Sequence, residues 1–299
     1  PGSDGKAMTV TMIARLVERG VLAWDRPLEQ MLPSLAAKMR PEYRDVTLPD
    51  LMSHHSGLPE NHDDLKYFAT FFTDKAPLTA QRLRYIETAL GDAPVGPKRD
   101  KPSYSNTGLL IAAAVAEHAT GKSFETLIQS EVFRPLGMTS IRFDQFGRHG
   151  EPCGHVDGRV ADKMLDVNPP MFAPAGAMRM TLPDWSRFCI EHLQGERGRG
   201  RLLRAETYRF LHAAQGGQNG QGWALGWGVA NRIMGRKGPV LTHAGSDGNW
   251  NALVALFPET GNGVLVATNS GNSMGGDKAS GTALRAMVAM VAEPVTTPA

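Results

Sequence analysis

The chain has few cysteines, no long apolar run and no excess of charge of one sign. Its 299 residues include two cysteines, Cys153 and Cys189, which are too few for a disulfide framework and lack the spacing of a zinc site. No apolar segment approaches the roughly 18–20 residues that span a membrane. The formal net charge is +2, and the basic residues form no stripe and do not alternate with aromatic residues, which argues against nucleic-acid binding.

The composition is that of a globular protein with a large core. Hydrophobic residues make up 41% of the chain, and this length fits one large domain or two interleaved ones. Helical patterns dominate residues 46–144, whereas strand patterns dominate after residue 145. We therefore predict an α+β fold with a cleft between two lobes. Residues 1–45 and 145–299 form a lobe with an antiparallel sheet flanked by helices, and residues 46–144 form a mainly helical lobe.

Local patterns place most of the elements. Predicted helices cover residues 7–19, 109–119, 124–132, 182–193 and 281–292. Predicted strands cover residues 223–230, 240–243, 253–257 and 264–268, and the last two form a hairpin because a Gly- and Asn-containing turn separates them. The side of the last helix that is expected to cover the sheet consists of Leu284, Met287, Val288 and Val291.

Ser3-Asp4-Gly5-Lys6 precedes the first predicted helix, and Ser3 is the only serine with a lysine three residues later. Apolar residues at helical spacing from Met8 to Val17 predict an amphipathic helix, so Ser3 lies at its N-terminus with Lys6 one turn further on. Free backbone N–H groups and the helix dipole favour a developing alkoxide there, and the amine can take the hydroxyl proton. The alternative is an N-cap serine beside a solvated lysine, which so short a pattern does not exclude.

Tyr104-Ser105-Asn106 follows a loop rich in Pro and Gly and precedes a helical segment. Across a turn, the side chains of Tyr104 and Asn106 can enter one cavity. A phenol near cationic groups can lose its proton and act as a base, while the Asn106 amide can hold Lys6 or a substrate carbonyl. Alternatively, these residues are an ordinary helix start with Asn106 as the local cap.

His243-Ala244-Gly245-Ser246 ends a predicted strand. The flat backbone at Gly245 and Ser246 allows a substrate to approach, and the Ser246 N–H can form an oxyanion hole with the Ser3 N–H. The alternative for His243 is a histidine in a turn at the end of the strand. Trp223 either lines the same cleft or is an ordinary strand aromatic residue.

A group of histidines and aspartates could suggest a metal site. His54, His55 and His62 lie close in sequence to Asp63 and Asp64, but two adjacent histidines cannot share one helix face and no H-x-x-x-H spacing occurs. We predict a surface turn there, with no metal and no cofactor.

In this order, Ser3-x-x-Lys6, Tyr104-x-Asn106 and His243-x-Gly245 resemble the motifs of the serine β-lactamase and penicillin-binding superfamily. The chain is most similar to its class C β-lactamases, family VIII carboxylesterases and D-aminopeptidases. Residues 47–59 are similar to the T-H-T-S-G-L-P stretch of the family, and residues 104–140 to its Y-S-N helix and P-L-G-M-T turn. The resemblance covers nearly the whole chain.

The resemblance implies an acyl-enzyme mechanism. Ser3 would attack a carbonyl, Lys6 and Tyr104 would share the general-base work, and Tyr104 would return a proton to the leaving group. The substrate-binding residues that it implies are Asn106, His243, Gly245 and Ser246.

Two departures from the family affect the expected function. His243 stands where β-lactamases carry the Lys of K-T-G, and a histidine near its ordinary pKa of about 6.5 is only partly charged at neutral pH. That difference favours neutral esters or amides over β-lactams. The family also carries a helix and outer strands before S-x-x-K, which this chain lacks, so we expect an incomplete sheet with an exposed edge.

We therefore predict a carboxylesterase for small to medium esters. A β-lactamase, D,D-peptidase or D-aminopeptidase of the same superfamily is the first alternative, and a non-catalytic binding member of the fold is the second. The expected partner is a small-molecule ester or amide, without nucleic acid or a membrane span, and assembly into a homo-oligomer stays open. Bacterial periplasm and cytoplasm also both stay open, because any signal peptide would lie upstream of Pro1.

Overall fold

The computed structural model describes residues 2–143, 151–161, 168–216 and 219–293. Its helices are α1 (Gly5–Glu18), α2 (Leu28–Met31), α3 (Leu48–Met52), α4 (Leu65–Thr70), α5 (Leu78–Ala89), α6 (Asn106–Thr120), α7 (Phe124–Ile128), α8 (Leu182–Gln194), α9 (Ala205–His212) and α10 (Gly276–Val291). Its strands are β1 (His155–Val156), β2 (Arg159–Val160), β3 (Gly222–Trp223), β4 (Gly228–Ile233), β5 (Arg236–Ser246), β6 (Asn251–Phe257) and β7 (Asn262–Thr268).

Strands β3 to β7 form one antiparallel sheet in chain order, and β1 pairs with β2 in a separate two-stranded ribbon. The predicted hairpin is confirmed, since Phe257 of β6 pairs with Asn262 of β7 across the turn. The α+β class is likewise confirmed. Helices α3 to α7 lie within residues 46–144 and the large sheet lies after residue 220, while the division into two lobes at residues 45 and 145 remains a prediction.

The single strand predicted over residues 223–230 is wrong, because a turn divides it into β3 and β4. Gly226 has a φ of +76°, a left-handed conformation that ends an extended strand. The turn also packs closely against α1, where a Cβ at Gly226 would lie 2.9 Å from the Cα of Ala7. Only glycine fits this approach, so the turn anchors one end of the sheet to the first helix.

Helix α10 covers one face of the sheet. Its residues Leu284 and Val288 are buried in a cluster with Val240, Phe257 and other strand residues. The prediction that Met287 also faces the sheet is wrong, since 43% of this residue is exposed. The apolar stripe that packs on the sheet is therefore narrower than the sequence pattern indicated.

Helix α1 lies inside the molecule. The prediction of an amphipathic helix with a solvated face is wrong, because eleven of its 14 residues are buried, Lys6 among them. Its buried hydroxyl at Thr9 donates to the carbonyl oxygen of Pro174 over 2.8 Å, and Thr11 donates to Ala7 within the helix. The start of α1, and with it the candidate nucleophile, is therefore held on several sides.

Candidate active site

Ser3 lies in a 3-10 turn, Gly2–Asp4, that leads directly into α1. Its Oγ is 2.9 Å from Nζ of Lys6, which is the contact that the three-residue spacing predicts. Gly2 has a φ of +60°, and a Cβ there would lie only 2.7 Å from the backbone nitrogen of Ser246. This close approach sets the backbone next to Ser3 against the end of β5.

Lys6 is fully buried. Its Nζ also donates to the carbonyl oxygen of Ala175 over 2.6 Å and lies 4.8 Å from the centre of the Tyr104 ring. Burial lowers the pKa of Lys6 to about 7, although the charges of Asp4 and Glu60 oppose that shift. A substantial fraction of the amine is therefore unprotonated at neutral pH, when its lone pair can accept the Ser3 hydroxyl proton.

Tyr104 immediately precedes α6. The N-cap of this helix is Ser105, whose Oγ accepts the N–H of Gly108 over 3.1 Å, so the alternative of Asn106 as the cap is wrong. Burial raises the pKa of Tyr104 to about 12, against a lowering interaction with the Ser3 hydroxyl. The expectation that nearby cations turn this phenol into a base is therefore wrong for the free site. The protonated phenol is suited to donating a proton.

Asn106 has a different partner from the one expected. Its Nδ2 donates to Oδ1 of Asn61 over 3.1 Å, and its backbone N–H donates to the carbonyl oxygen of Glu60. No contact between Asn106 and Lys6 occurs among the described residues, so the proposed hold on Lys6 is not seen. The amide still borders the cavity beside Ser3.

His243 lies behind the cavity instead of lining it. Its side chain is 2% exposed, and Nδ1 donates to the carbonyl oxygen of Ala244 over 2.9 Å. Burial and the charge of Lys6 lower the pKa of His243 to about 3. The expectation of a partly charged histidine is therefore wrong, since the ring is neutral throughout the physiological range. Trp223 packs on this ring at 5.9 Å between centroids.

An open cavity of about 300 Å³ begins at Ser3. Besides Ser3, the predicted site residues that line it are Tyr104, Asn106 and Ser246. The apolar side chains that line it are Leu65, Phe68 and Phe172. Its acidic lining residues are Glu60 and Asp247, and within the described part of the chain no lysine or arginine lines it. Gly245 does not line the cavity but lies beneath it, where its backbone contacts Gly2.

Sequence reasoning missed His54. The predicted surface turn is wrong here, because His54 and His55 are both buried. The His54 ring lies 4.6 Å from the Tyr104 ring and 4.7 Å from Trp223, and its Nδ1 accepts the N–H of Ser105 over 3.1 Å. Its φ is +66°, which is unusual for a residue with a side chain. His54 thus supports the phenol from behind, a role that only the resemblance of residues 47–59 could have indicated.

Ala175 was likewise not predicted as a site residue. Its carbonyl oxygen contacts Lys6, and the next residue, Gly176, allows the chain to pass close to the nucleophile. A Cβ at Gly176 would lie 3.0 Å from the carbonyl carbon of Gly2. Backbone groups such as this carbonyl carry no residue signature, so the sequence cannot point to them.

Two further searches cover only the described residues. They contain no group of three or more His, Cys, Asp or Glu side chains that could hold a metal ion. Among them, no helix combines the length and apolar character needed to cross a membrane.

Comparison with known proteins gives a consistent answer. A family profile described as Beta-lactamase matches residues 2–288. Penicillin-binding protein 4 of Amycolatopsis lactamdurans is 26% identical over 283 residues, which are 90% of this chain and 71% of that protein. The D-alanyl-D-alanine-carboxypeptidase/endopeptidase AmpH of Escherichia coli K12 is 23% identical, over 87% of this chain and 68% of that protein.

Among solved structures, a D-stereospecific amidohydrolase from Streptomyces sp. superposes with a TM-score of 0.75 at 22% identity, over 95% of this chain and 85% of that one. This likeness shows the fold, and the family profile spans almost all of the sequence. The chain belongs to the beta-lactamase family, whose members are serine hydrolases.

Proposed function

We propose that this chain hydrolyses carboxylic esters of small to medium size through an acyl-enzyme formed on Ser3. The observation that carries the proposal is the 2.9 Å contact between Ser3 Oγ and the Lys6 amine, which is fully buried. A lysine in such surroundings loses its proton near neutrality, and a neutral amine can activate a hydroxyl group.

In the proposed acylation, Ser3 Oγ attacks the ester carbonyl carbon while Lys6 takes the hydroxyl proton. The backbone N–H groups of Ser3 and Ser246 stabilise the oxyanion that develops. When the tetrahedral intermediate breaks down, Tyr104 donates its proton to the leaving alkoxide and recovers one from Lys6. Water then attacks the acyl group, losing a proton to Lys6, and Ser3 recovers its proton as the acid leaves.

The charges around the cavity support a substrate without a carboxylate. His243 is neutral, and in the described lining the charged groups are the acids Glu60 and Asp247. A β-lactam or a peptide with a free C-terminus carries a carboxylate, which these acids repel and no described lining cation binds. Leu65 and Phe68 offer an apolar wall, which supports an aliphatic or aromatic acyl group.

The same two acids favour a second candidate, the hydrolysis of amides whose acyl part carries a free amine. An ammonium group would be attracted by Glu60 and Asp247. The amidohydrolase that shares the fold is described as D-stereospecific, so amides of D-amino acids are the substrates to compare. A non-catalytic binding member of the fold is the third candidate, and acylation of Ser3 distinguishes it from both hydrolases.

A substrate panel tests these assignments. We expect p-nitrophenyl butyrate to be hydrolysed with a higher kcat/KM than a chromogenic cephalosporin, with D-phenylalanine amide as the second candidate substrate. Ser3→Ala should abolish every activity, whereas Ser34→Ala, at an exposed serine on another surface, should change none. Faster cephalosporin turnover would contradict the ester assignment, and ligand binding without turnover, unchanged in Ser3→Ala, would favour the binding protein.

A further inference from the structure

Asp4 is a buried acid that the proposed mechanism does not use. It lies between Ser3 and Lys6 in sequence and is 1% exposed. Neither carboxyl oxygen has a hydrogen-bond partner within the described chain. Its Oδ1 is 3.8 Å from Nδ1 of His243, which already donates to a backbone carbonyl. An unpartnered buried carboxyl group is costly, so its position beside the nucleophile calls for a functional explanation.

Several titratable groups from different elements face Asp4 or interact with it electrostatically. The amine of Lys6 comes from α1, the ring of His243 from β5 and the thiol of Cys189 from α8. Tyr104, before α6, also experiences the charge of Asp4. The groups that act on Lys6 itself include Glu60, His54 and His243. Of these neighbours, Lys6 is the one that becomes a cation near neutral pH, because His243 is neutral there.

The charge of Asp4 and the charge of Lys6 depend on each other. In its acid form Asp4 leaves Lys6 free to be a neutral amine, whereas its carboxylate form favours the proton on Lys6. Burial raises the pKa of Asp4 well above its usual range, and the Lys6 charge opposes that shift. Asp4 in turn raises the pKa of Lys6 against the effect of burial. The two groups therefore titrate as a coupled pair.

We propose that Asp4 is a positioning residue that acts through Lys6: its buried carboxyl group governs the charge of the amine, and with it the pH range in which Ser3 can be activated. The inference rests on the proposed function, in which Lys6 is the base for Ser3. It goes further by assigning a role to the residue inside the Ser-x-x-Lys motif. No proton passes to the substrate from Asp4, so it is not a catalytic residue.

The charge of Lys6 can be measured without any enzymatic activity. Protein labelled with ¹³C-lysine is titrated by NMR, and the Lys6 signal is assigned by its loss in Lys6→Gln. We expect a midpoint near pH 7 in the unmodified chain and a midpoint about one unit lower in Asp4→Asn, because a nearby opposite charge shifts a pKa by about 1–3 units. Asp4→Ala, which also removes the carboxyl group, should shift the midpoint in the same direction.

Asp25→Asn, at an exposed position away from the site, is the matched control and should leave the Lys6 midpoint unchanged. Equal midpoints in the unmodified chain and both folded Asp4 variants would overturn the proposal and leave Asp4 a merely structural residue. Circular dichroism establishes that each variant is folded before it is titrated.

The acylation rate supplies the second readout. If Lys6 is the base, the acidic limb of the rate profile should move with the NMR midpoint, which raises the activity of Asp4→Asn at pH 6, relative to its plateau, about fivefold. A shifted midpoint without acylation at any pH would refute the proposed function but support the role of Asp4. Acylation with an unshifted midpoint would refute only the role of Asp4.

Discussion

Replacing Lys6 with methionine should stabilise the fold while removing activity. The unfolded chain holds its lysine proton up to pH 10.5, whereas the folded chain releases it near pH 7. At 1.36 kcal/mol per unit, and with half of the folded amine still protonated, the buried lysine costs about 4 kcal/mol at pH 7. Methionine avoids this cost but loses the contacts with Ser3 and Ala175, at about 1 kcal/mol each. The net stabilisation is about 2 kcal/mol.

The pH dependence tests this reasoning more strictly than one value. Between pH 7 and 10.5 the unfolded chain binds more protons at Lys6 than the folded chain, so the stability of the unmodified protein rises with pH. By about pH 9.5 the cost of Lys6 falls by about 3 kcal/mol, so the advantage of Lys6→Met disappears. Removing Lys6 also raises the pKa of Asp4, which acts in the same direction.

Urea denaturation at both pH values measures the two free energies of unfolding. Lys122→Met, at an exposed lysine, controls for the change of residue type. A stability difference between Lys6→Met and the unmodified chain that is the same at both pH values would refute the reasoning, because packing alone does not depend on pH.

Three other substitutions test the surroundings of the site. Tyr104→Phe keeps the packing on the rings behind it but removes the proton donor, so kcat/KM should fall about 10²–10⁴-fold without loss of melting temperature; an unchanged rate would exclude the phenol from the reaction. Gly2→Ala places a Cβ 2.7 Å from the Ser246 nitrogen and should slow acylation about a hundredfold through displacement of the nucleophile, as followed by stopped-flow. Arg82→Met leaves Glu117 buried without its ion-pair partner and should destabilise the fold by about 3–5 kcal/mol in urea denaturation, whereas a loss below about 1 kcal/mol would show that the pair is dispensable.

The contact between Ser3 and Lys6 could be predicted from the sequence because it is local. Two residues three apart at a helix start face the same side whatever the rest of the chain does. The meeting of this pair with Tyr104 and Ser246 is a long-range event, and only the order of the motifs across a known family indicated it. The hairpin β6–β7 belongs with the local features, since its turn residues and alternating strands are contiguous.

The electrostatic state of the site could not be predicted in the same way. Lys6, Tyr104 and His243 are all perturbed chiefly by burial, and burial depends on how distant segments pack. The sequence showed a phenol near cations and a histidine of ordinary pKa, whereas the fold provides a protonated phenol and a neutral ring. Asn106 was misjudged for a related reason, because its partner Asn61 comes from a separate loop.

The most direct test of the account is to locate the covalent adduct. A fluorophosphonate reacts with an activated serine, and peptide mapping by mass spectrometry identifies the residue modified. We predict one adduct, on the peptide that contains Ser3, formed faster as the pH rises through 7 and absent in both Ser3→Ala and Lys6→Met. An adduct on another serine, or undiminished labelling in Lys6→Met, would contradict it.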